Sequence, residues 1–487
     1  MNPFRFTLVS LVLLSAGGLS SLKAADEADR PPNFIIIFID DMGYADIGPF
    51  GSTLNLTPNL DRLAQEGRRL TSFYAAALCT PSRAALLTGS YPKRVGLMTG
   101  SFHPVIMPGD EHGLNPDEIT IAEILQKQNY ATACIGKWHL GDQPAFLPTN
   151  HGFDEFYGIP YSNDMNPENN NKVRNFPPLP LIRDTKIIGE LTDQSTITAD
   201  LTSEAVRFIT ENLKKPFFLY LPHVMVHVPL QAGERFKNQS ANGILGDAIE
   251  ELDDSVGQIL TALEELDLDD NTLILFTSDN GPARGIATLL RGKKGRTFEG
   301  GVRVPTLVRW PGKIPAGSKS DEITSTMDLL PTLTRLAGAS PPADRILDGH
   351  NIWPILRGDP SATSPYDAFF YYRADALEAV RSGPWKLHLA GNQGKPALYN
   401  LTADIAETTD LSREHPKILA RLERLLDEAR TDLGDGVTHP GANVRPVGYW
   451  HDPKPLLARP DGKPLNRGDW KYIPPATTPV RSKSRLP

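Results

Sequence analysis

The sequence predicts an α/β fold: a large, mostly parallel sheet flanked by helices, then a smaller C-terminal antiparallel sheet with a helix. Two observations carry this. Up to about residue 360, short apolar runs alternate with stretches of helical periodicity, as in strands buried on both faces by crossover helices. Beyond that point the runs are short and closely spaced, with turn residues between them, as in an antiparallel meander.

Taken in order, Asn33 to Ile39 is apolar after its first residue, hence a buried strand. Thr57-Pro58 opens a helix reaching Glu66, and Gly67 stops it. Cys79 opens another, with Pro81 in the first turn, where its missing N–H costs nothing, and Gly89 at the end. Ile119 to Gln128 is an amphipathic helix and Ala131 to Ile135 a strand. Thr198 to Leu213 and Leu245 to Leu266 are helices, each followed by a strand, Phe217 to Leu221 and Leu273 to Thr277. The second sheet takes Phe369 to Tyr372, Leu377 to Arg381, Trp385 to Leu389 and Ala397 to Leu401, and a helix runs from Pro416 to Leu433. From Gly434 the chain is rich in Pro, Gly and Arg and reads as irregular tail.

At 487 residues, with 40% hydrophobic and 22% charged residues, the chain is globular and longer than one typical domain. A net charge of −8 with no basic stripe argues against a nucleic-acid binder. Residues 1–24 read as a signal peptide: Arg5, then an apolar run from Leu8 to Leu19 too short to span a bilayer, then a small-residue cleavage zone ending at Ala24. A secreted or periplasmic protein without stable membrane insertion is the expectation. Two cysteines, Cys79 and Cys134, do not make a disulfide framework.

The most informative stretch is Cys79-Thr80-Pro81-Ser82-Arg83, running on to Thr88-Gly89. Cys79 falls at a helix N-terminus, where free N–H groups and the macrodipole favour an anion, and Arg83 follows one turn later. A buried structural cysteine is the plain alternative. The other polar clusters follow apolar strands: Asp40-Asp41, Lys137-Trp138-His139, His227 and Asp279-Asn280. Open α/β sheets bind ligands at that edge. One aspartate there is usually a helix cap; four clusters on one edge are not easily accidental. Asp40, Asp41, Asp279 and Asn280 supply hard oxygen ligands, favouring Ca²⁺ or Mg²⁺ over zinc, and adjacent carboxylates would repel without a cation. Asp46 reads as structural. His227, between Val226 and Val228, could equally be a packed core histidine, and His223 is its rival nearer the strand.

The C-x-P-x-R…T-G pattern resembles the signature of the formylglycine-dependent sulfatases, nearest the arylsulfatase A group, and the likeness covers most of residues 33–312. Gly136 to Gly141, Gly158 to Asp164, and Gly292-Lys293-Lys294 leading to Phe298–Pro305 match as well. The resemblance implies an alkaline-phosphatase-like sulfatase fold, with a catalytic domain over 25–360, an α+β subdomain over 361–440 and a Pro-rich tail over 441–487. It implies that a formylglycine-generating enzyme oxidises Cys79 to formylglycine. One Ca²⁺ would be held by Asp40, Asp41, the modified Cys79, Asp279 and Asn280.

Arg83, Lys137, His139, His227 and Lys294 match positions around the aldehyde and the sulfate ester, and Ser162 a substrate contact. The implied mechanism is attack of the hydrated aldehyde on sulfur, charge neutralised by Lys137, Lys294 and His227, a proton to the leaving oxygen from His227 or Lys294, and His139 as the base that expels sulfate. Secretion, a monoanion-sized set of cationic residues and a net charge of −8 point to a carbohydrate sulfate cleaved from a chain end. Arg284, Arg291, Lys293 and Arg296 would have to form a basic strip for endo-action on a polyanion. Alternatives are a phosphonate or phosphate ester hydrolase of the same superfamily, a cysteine hydrolase using the Cys79 thiolate, and a non-catalytic carbohydrate-binding relative. Specificity is expected from loops at the sheet edge, with residues 96–116, 163–194 and 281–291 as candidates, and from the C-terminal appendage.

Overall fold

The computed structural model describes residues 30–170, 175–287, 289–436, 439–459 and 461–463. The leader expected over 1–24 and the last residues of the tail lie outside them. A ten-stranded sheet forms the main body. Its strands are β1 (Asn33–Ile39), β2 (Arg68–Leu70), β3 (Ala131–Lys137), β4 (Glu155–Ile159), β5 (Pro180–Arg183), β6 (Lys186–Glu190), β7 (Phe217–Pro222), β8 (Thr272–Ser278), β9 (Thr306–Arg309) and β10 (Ser318–Ser320). The spatial order is β10-β2-β9-β8-β1-β7-β3-β4-β5-β6. The central strands β8, β1, β7, β3 and β4 run parallel, and β9 and β5 pair antiparallel at either side of that block.

The side chains of β1 explain its central place. Ile35, Ile37 and Ile39 join one buried cluster and Phe34, Ile36 and Phe38 the other, because alternate residues face opposite sides of a sheet. The first cluster is covered by helices α1 (Pro58–Glu66), α4 (Ile197–Glu211) and α5 (Gly243–Glu265). Helices α2 (Cys79–Thr88), α3 (Ile121–Lys127) and α6 (Leu329–Leu336) cover the second. Thr120 and Glu123 form a reciprocal capping box that sets the start of α3 just inside the expected segment. Gly89, at φ +63, ends α2 and donates its N–H to the Ala85 carbonyl at 3.0 Å.

The expected meander is present as β11 (Phe369–Arg373), β12 (Ala376–Ser382), β13 (Trp385–Asn392) and β14 (Lys395–Asn400), with α7 (Pro416–Asp432) against it. Strands β2, β4, β5, β6, β9 and β10 went unread. They are three to five residues long, and so few positions carry no clear periodic signal.

The stretch after Gly434 is less irregular than expected, because it returns to the main body. Gly448–Tyr449 pairs with His112–Gly113, the Trp450 N–H donates to the Glu111 carbonyl at 2.8 Å, and Lys454 and Gln143 exchange two hydrogen bonds. The Arg459 guanidinium then reaches the Asn175 carbonyl.

A fully buried ion cluster joins the two sheets. Lys386 on β13 lies 2.9 Å from both Glu299 and Glu407 and donates to the Thr297 carbonyl at 2.8 Å. Tyr74 and Arg303 complete the Glu299 carboxylate. Lys386→Met leaves two buried carboxylates without their shared cation, so folding stability should fall by about 3–5 kcal/mol. A urea melt checks this; an unchanged midpoint would show that the cluster is idle.

Candidate active site

The central parallel strands deliver the site. Asp40-Asp41 follow β1, Lys137 ends β3 with His139 just beyond, Ser162 follows β4, His227 lies in the connection after β7, and Asp279-Asn280 follow β8. Parallel strands end together, so these segments converge on one sheet edge. Close backbone approach makes room for this. A Cβ on Gly136 would lie 2.0 Å from the Pro222 carbonyl oxygen, and one on Gly158 would lie 1.9 Å from that of Gly136. Cys79 arrives on the first residue of α2, and Lys294 on the connection from β8 to β9. Asp40, Asp41, Cys79, Arg83, Lys137, His139, Ser162, Asp279 and Asn280 are each at most 2% exposed.

Opposite charges interleave there. Lys137 Nζ sits 2.5 Å from Asp40 Oδ2 and donates to Ser162 Oγ at 3.1 Å. Lys294 Nζ lies 2.6 Å from Asp41 Oδ1. Arg83 donates to Asp279 Oδ2 at 2.9 Å and to the Lys137 carbonyl at 2.6 Å. Burial opposes ionisation of Asp40, yet Lys137, His227 and Arg83 hold its carboxyl well below the usual range. Asp279 is pushed up to about 7 by burial and by the Asp40 charge.

The donor set fits a hard divalent cation. Asp40 Oδ1, Asp41 Oδ2 and Asn280 Oδ1 are buried with no hydrogen-bond partner, and each such lone pair costs on the order of 1–3 kcal/mol. Asp40, Asp41 and His227 each offer a ligand atom within 4.8 Å of the others. Asp279 is the least available member of the expected set. Its Oδ1 accepts the Asp41 N–H at 3.1 Å and its Oδ2 is taken by Arg83.

Hydrogen bonding settles both histidine tautomers. His139 Nε2 lies 2.9 Å from the Ile106 carbonyl and so carries the proton, leaving Nδ1 as a buried lone pair without a partner. Burial, with Lys137 and Arg83 nearby, holds His139 well below the usual imidazole value, hence neutral. Gln194 Nε2 donates to the Asn163 carbonyl and its Oε1 accepts from Asn163 Nδ2. That turns Asn163 Oδ1 toward His227 Nδ1 at 3.0 Å, and the Val228 carbonyl adds a second acceptor at 2.7 Å. The His227 proton therefore sits on Nδ1, and Nε2 faces Asp41 Oδ2 at 3.7 Å. Two lone pairs facing each other call for a cation or proton between them. Asn163 and Gln194 were missed as positioning residues; their one sequence signal was the place of Asn163 beside Ser162. His223 lies in the core near Ser255, away from this cluster.

Cys79 is free, as is Cys134. Burial pushes the Cys79 thiol up, only partly opposed by Lys137 and Lys294, so the unmodified residue is a poor thiolate.

The sulfatase family pattern matches residues 32–339, and the pattern described as N-sulphoglucosamine sulphohydrolase, C-terminal, matches residues 293–432. The chain belongs to the sulfatase family. This sulfatase is 40% identical to human arylsulfatase A over 452 residues, covering 85% of this chain and 84% of that one. It is 41% identical to the N-acetylgalactosamine-6-sulfatase of Canis lupus familiaris over 400 residues, covering 78% and 74%. The crystal structure of Ps i-CgsB in complex with k-i-k-neocarrahexaose is 33% identical, with a TM-score of 0.71 over 82% of this chain and 92% of that one. The fold is that of the sulfatases, and the protein is a sulfuric ester hydrolase.

A pocket of about 670 Å³ opens above the site. Cys79, His139, Ser162, His227 and Lys294 line its floor, and Val105, Met107, Met165 and Phe176 an apolar wall. Of the candidate specificity loops, 96–116 and 163–194 reach it, whereas no described residue of 281–291 does. Asp46 is the reason: it accepts the N–H groups of Gly43 and Ile286 and draws that loop onto the connection after β1. Arg291 stacks 3.9 Å over Phe298 and donates to Tyr399, so it belongs to the joint between the sheets and not to a basic strip.

Proposed function

We propose that this sulfatase removes sulfate from an end residue of a sulfated carbohydrate, as an exported enzyme, with formylglycine at position 79 and one Ca²⁺. The observation that carries this reading is the charge balance on the pocket floor. With the histidines neutral, the carboxylates of Asp40, Asp41 and Asp279 are matched by Arg83, Lys137 and Lys294. A divalent cation on the unpartnered oxygens leaves the floor positive and suited to a monoanionic sulfate ester. The carbohydrate in the Ps i-CgsB complex supports the substrate class.

When bound, Ca²⁺ on Asp40, Asp41 and Asn280 would supply positive charge to the sulfate oxygens, and formylglycine would supply the attacking oxygen. The residues of the chain do the rest. Lys137 and Lys294 bind the sulfate oxygens and neutralise the charge that develops on them, which is usually the main source of rate enhancement in such transfers. Asn163 and Gln194 orient His227 so that its Nε2 faces the floor. Lys294, or His227 once a proton has been taken up on its Nε2, donates a proton to the leaving oxygen. His139, with its lone pair at Nδ1, takes a proton from the site. Arg83 braces Asp279 and the end of β3.

Protein co-produced with a formylglycine-generating enzyme should release sulfate from sulfated mono- and disaccharides, and from polymers at their ends first. Rapid loss from internal units without preference for ends would refute the end-acting reading. Faster turnover of an aryl phosphonate than of the matched aryl sulfate would favour the phosphonate alternative.

A further inference from the structure

We propose that the tip of the β11–β12 hairpin, Arg373 to Ala376, is the recognition subsite for the sugar ring that carries the sulfate. Asp375 accepts the ring's hydroxyls, and Lys93 positions Asp375. The inference rests on the carbohydrate reading above.

Location comes first. Arg373, Ala374, Asp375, Ala376 and, behind them, Gly436 line the same pocket as Cys79 and Lys294. The tip belongs to the second sheet, so it meets what lies beyond the sulfate. It is also held rigidly. Ala374 has φ +46, a left-handed conformation costing roughly 1–2 kcal/mol for a residue with a Cβ. Such strain persists only where the surroundings over-determine it. Here the Asp375 carbonyl accepts the Gly436 N–H at 2.7 Å, and the Leu377 N–H donates to Asp435 Oδ1 at 3.0 Å. Lys93 Nζ pairs with Asp375 Oδ1 at 2.7 Å, with side chains only 8% and 12% exposed. A carboxylate offers about four lone-pair sites. Lys93 takes one of those on Asp375, and the residue borders the cavity.

Charge then selects the ligand class. Arg373 pairs with Glu378 at 2.7 Å and Asp375 with Lys93, so the tip carries no excess positive charge for a second sulfate. Asp164, also on the pocket wall, adds a negative residue. A carboxylate beside an apolar wall of Val105, Met107, Met165 and Phe176 suits an uncharged ring, with hydroxyls toward Asp375 and C–H faces toward the wall.

The test compares formylglycine-matured wild type with Asp375→Asn on p-nitrophenyl sulfate and on a panel of monosulfated monosaccharides. On the best saccharide, kcat/KM should fall at least tenfold, mainly through KM. On the aryl sulfate, which has no sugar hydroxyls, the loss should stay below threefold. Deoxy analogues lacking the recognised hydroxyl should erase the difference between the two proteins. If the amide variant does not fold, Asp375→Glu, which keeps a charge for Lys93, serves the same comparison. Equal losses on both substrate types, or no loss on the saccharide, would overturn the subsite while leaving the carbohydrate reading intact. Wild type that cleaves the aryl sulfate but no saccharide would overturn both.

Discussion

Cys79→Ala should abolish sulfate ester turnover, by at least about three orders of magnitude, while the protein stays folded. The two halves of this expectation have separate causes. The substitution removes one buried sulfur atom from the first turn of α2, and alanine is the best helix former, so little packing or helix stability is lost. Activity should disappear because, in the proposed function, the nucleophile derives from that side chain. Burial raises the Cys79 thiol, so protein made without the maturation step should be as inactive as the alanine variant. Peptide mass spectrometry of active protein should show aldehyde at position 79 in place of thiol. Full activity in protein carrying only the unmodified thiol, or inactivation by thiol alkylation, would instead favour a cysteine hydrolase.

Asp40→Ala should lower activity by orders of magnitude and stability by about 3–5 kcal/mol. Asp40 is fully buried, lies 2.5 Å from Lys137 Nζ and 3.6 Å from the Arg83 guanidinium, and its Oδ1 has no donor. Removing it leaves two buried cations short of a counter-charge and takes one oxygen from the cation set. Wild type should gain thermal stability as Ca²⁺ is added and lose it to a chelator, by mass action on the folded state; the variant should respond to neither. Stoichiometric zinc in the isolated protein, with no response to Ca²⁺, would count against an oxygen-based calcium site.

Much of the candidate site was legible because its residues sit at positions with local meaning. The run from Asn33 to Ile39 predicts its own strand and therefore the place of Asp40-Asp41 at its end; the same holds for Asp279-Asn280 after β8. The Cys-x-Pro-x-Arg element is a local helix start, and the structure keeps it as one. Less was legible where short strands carried too few residues for a period to register. This is why β4 to β6 and β9 went unread although Gly158 lay inside a recognised stretch.

The sequence by itself determined the order of β1, β3, β7 and β8 and of the helices before them, the edge on which the polar residues gather and the chemical type of each candidate. These follow from period, caps and strand ends, all set within a few residues along the chain. Only the tertiary structure decided which side chains meet. Gln194 turns Asn163, and through it His227. Asp46 pulls 281–291 away from the pocket. Lys386 ties the second sheet to Glu299, and Lys93 holds Asp375 at the pocket mouth. The physical reason is that these partners are distant in sequence: Lys93 and Asp375 are separated by 282 positions. Their encounter depends on how two sheets pack against each other, and no local pattern of apolar and polar residues encodes that.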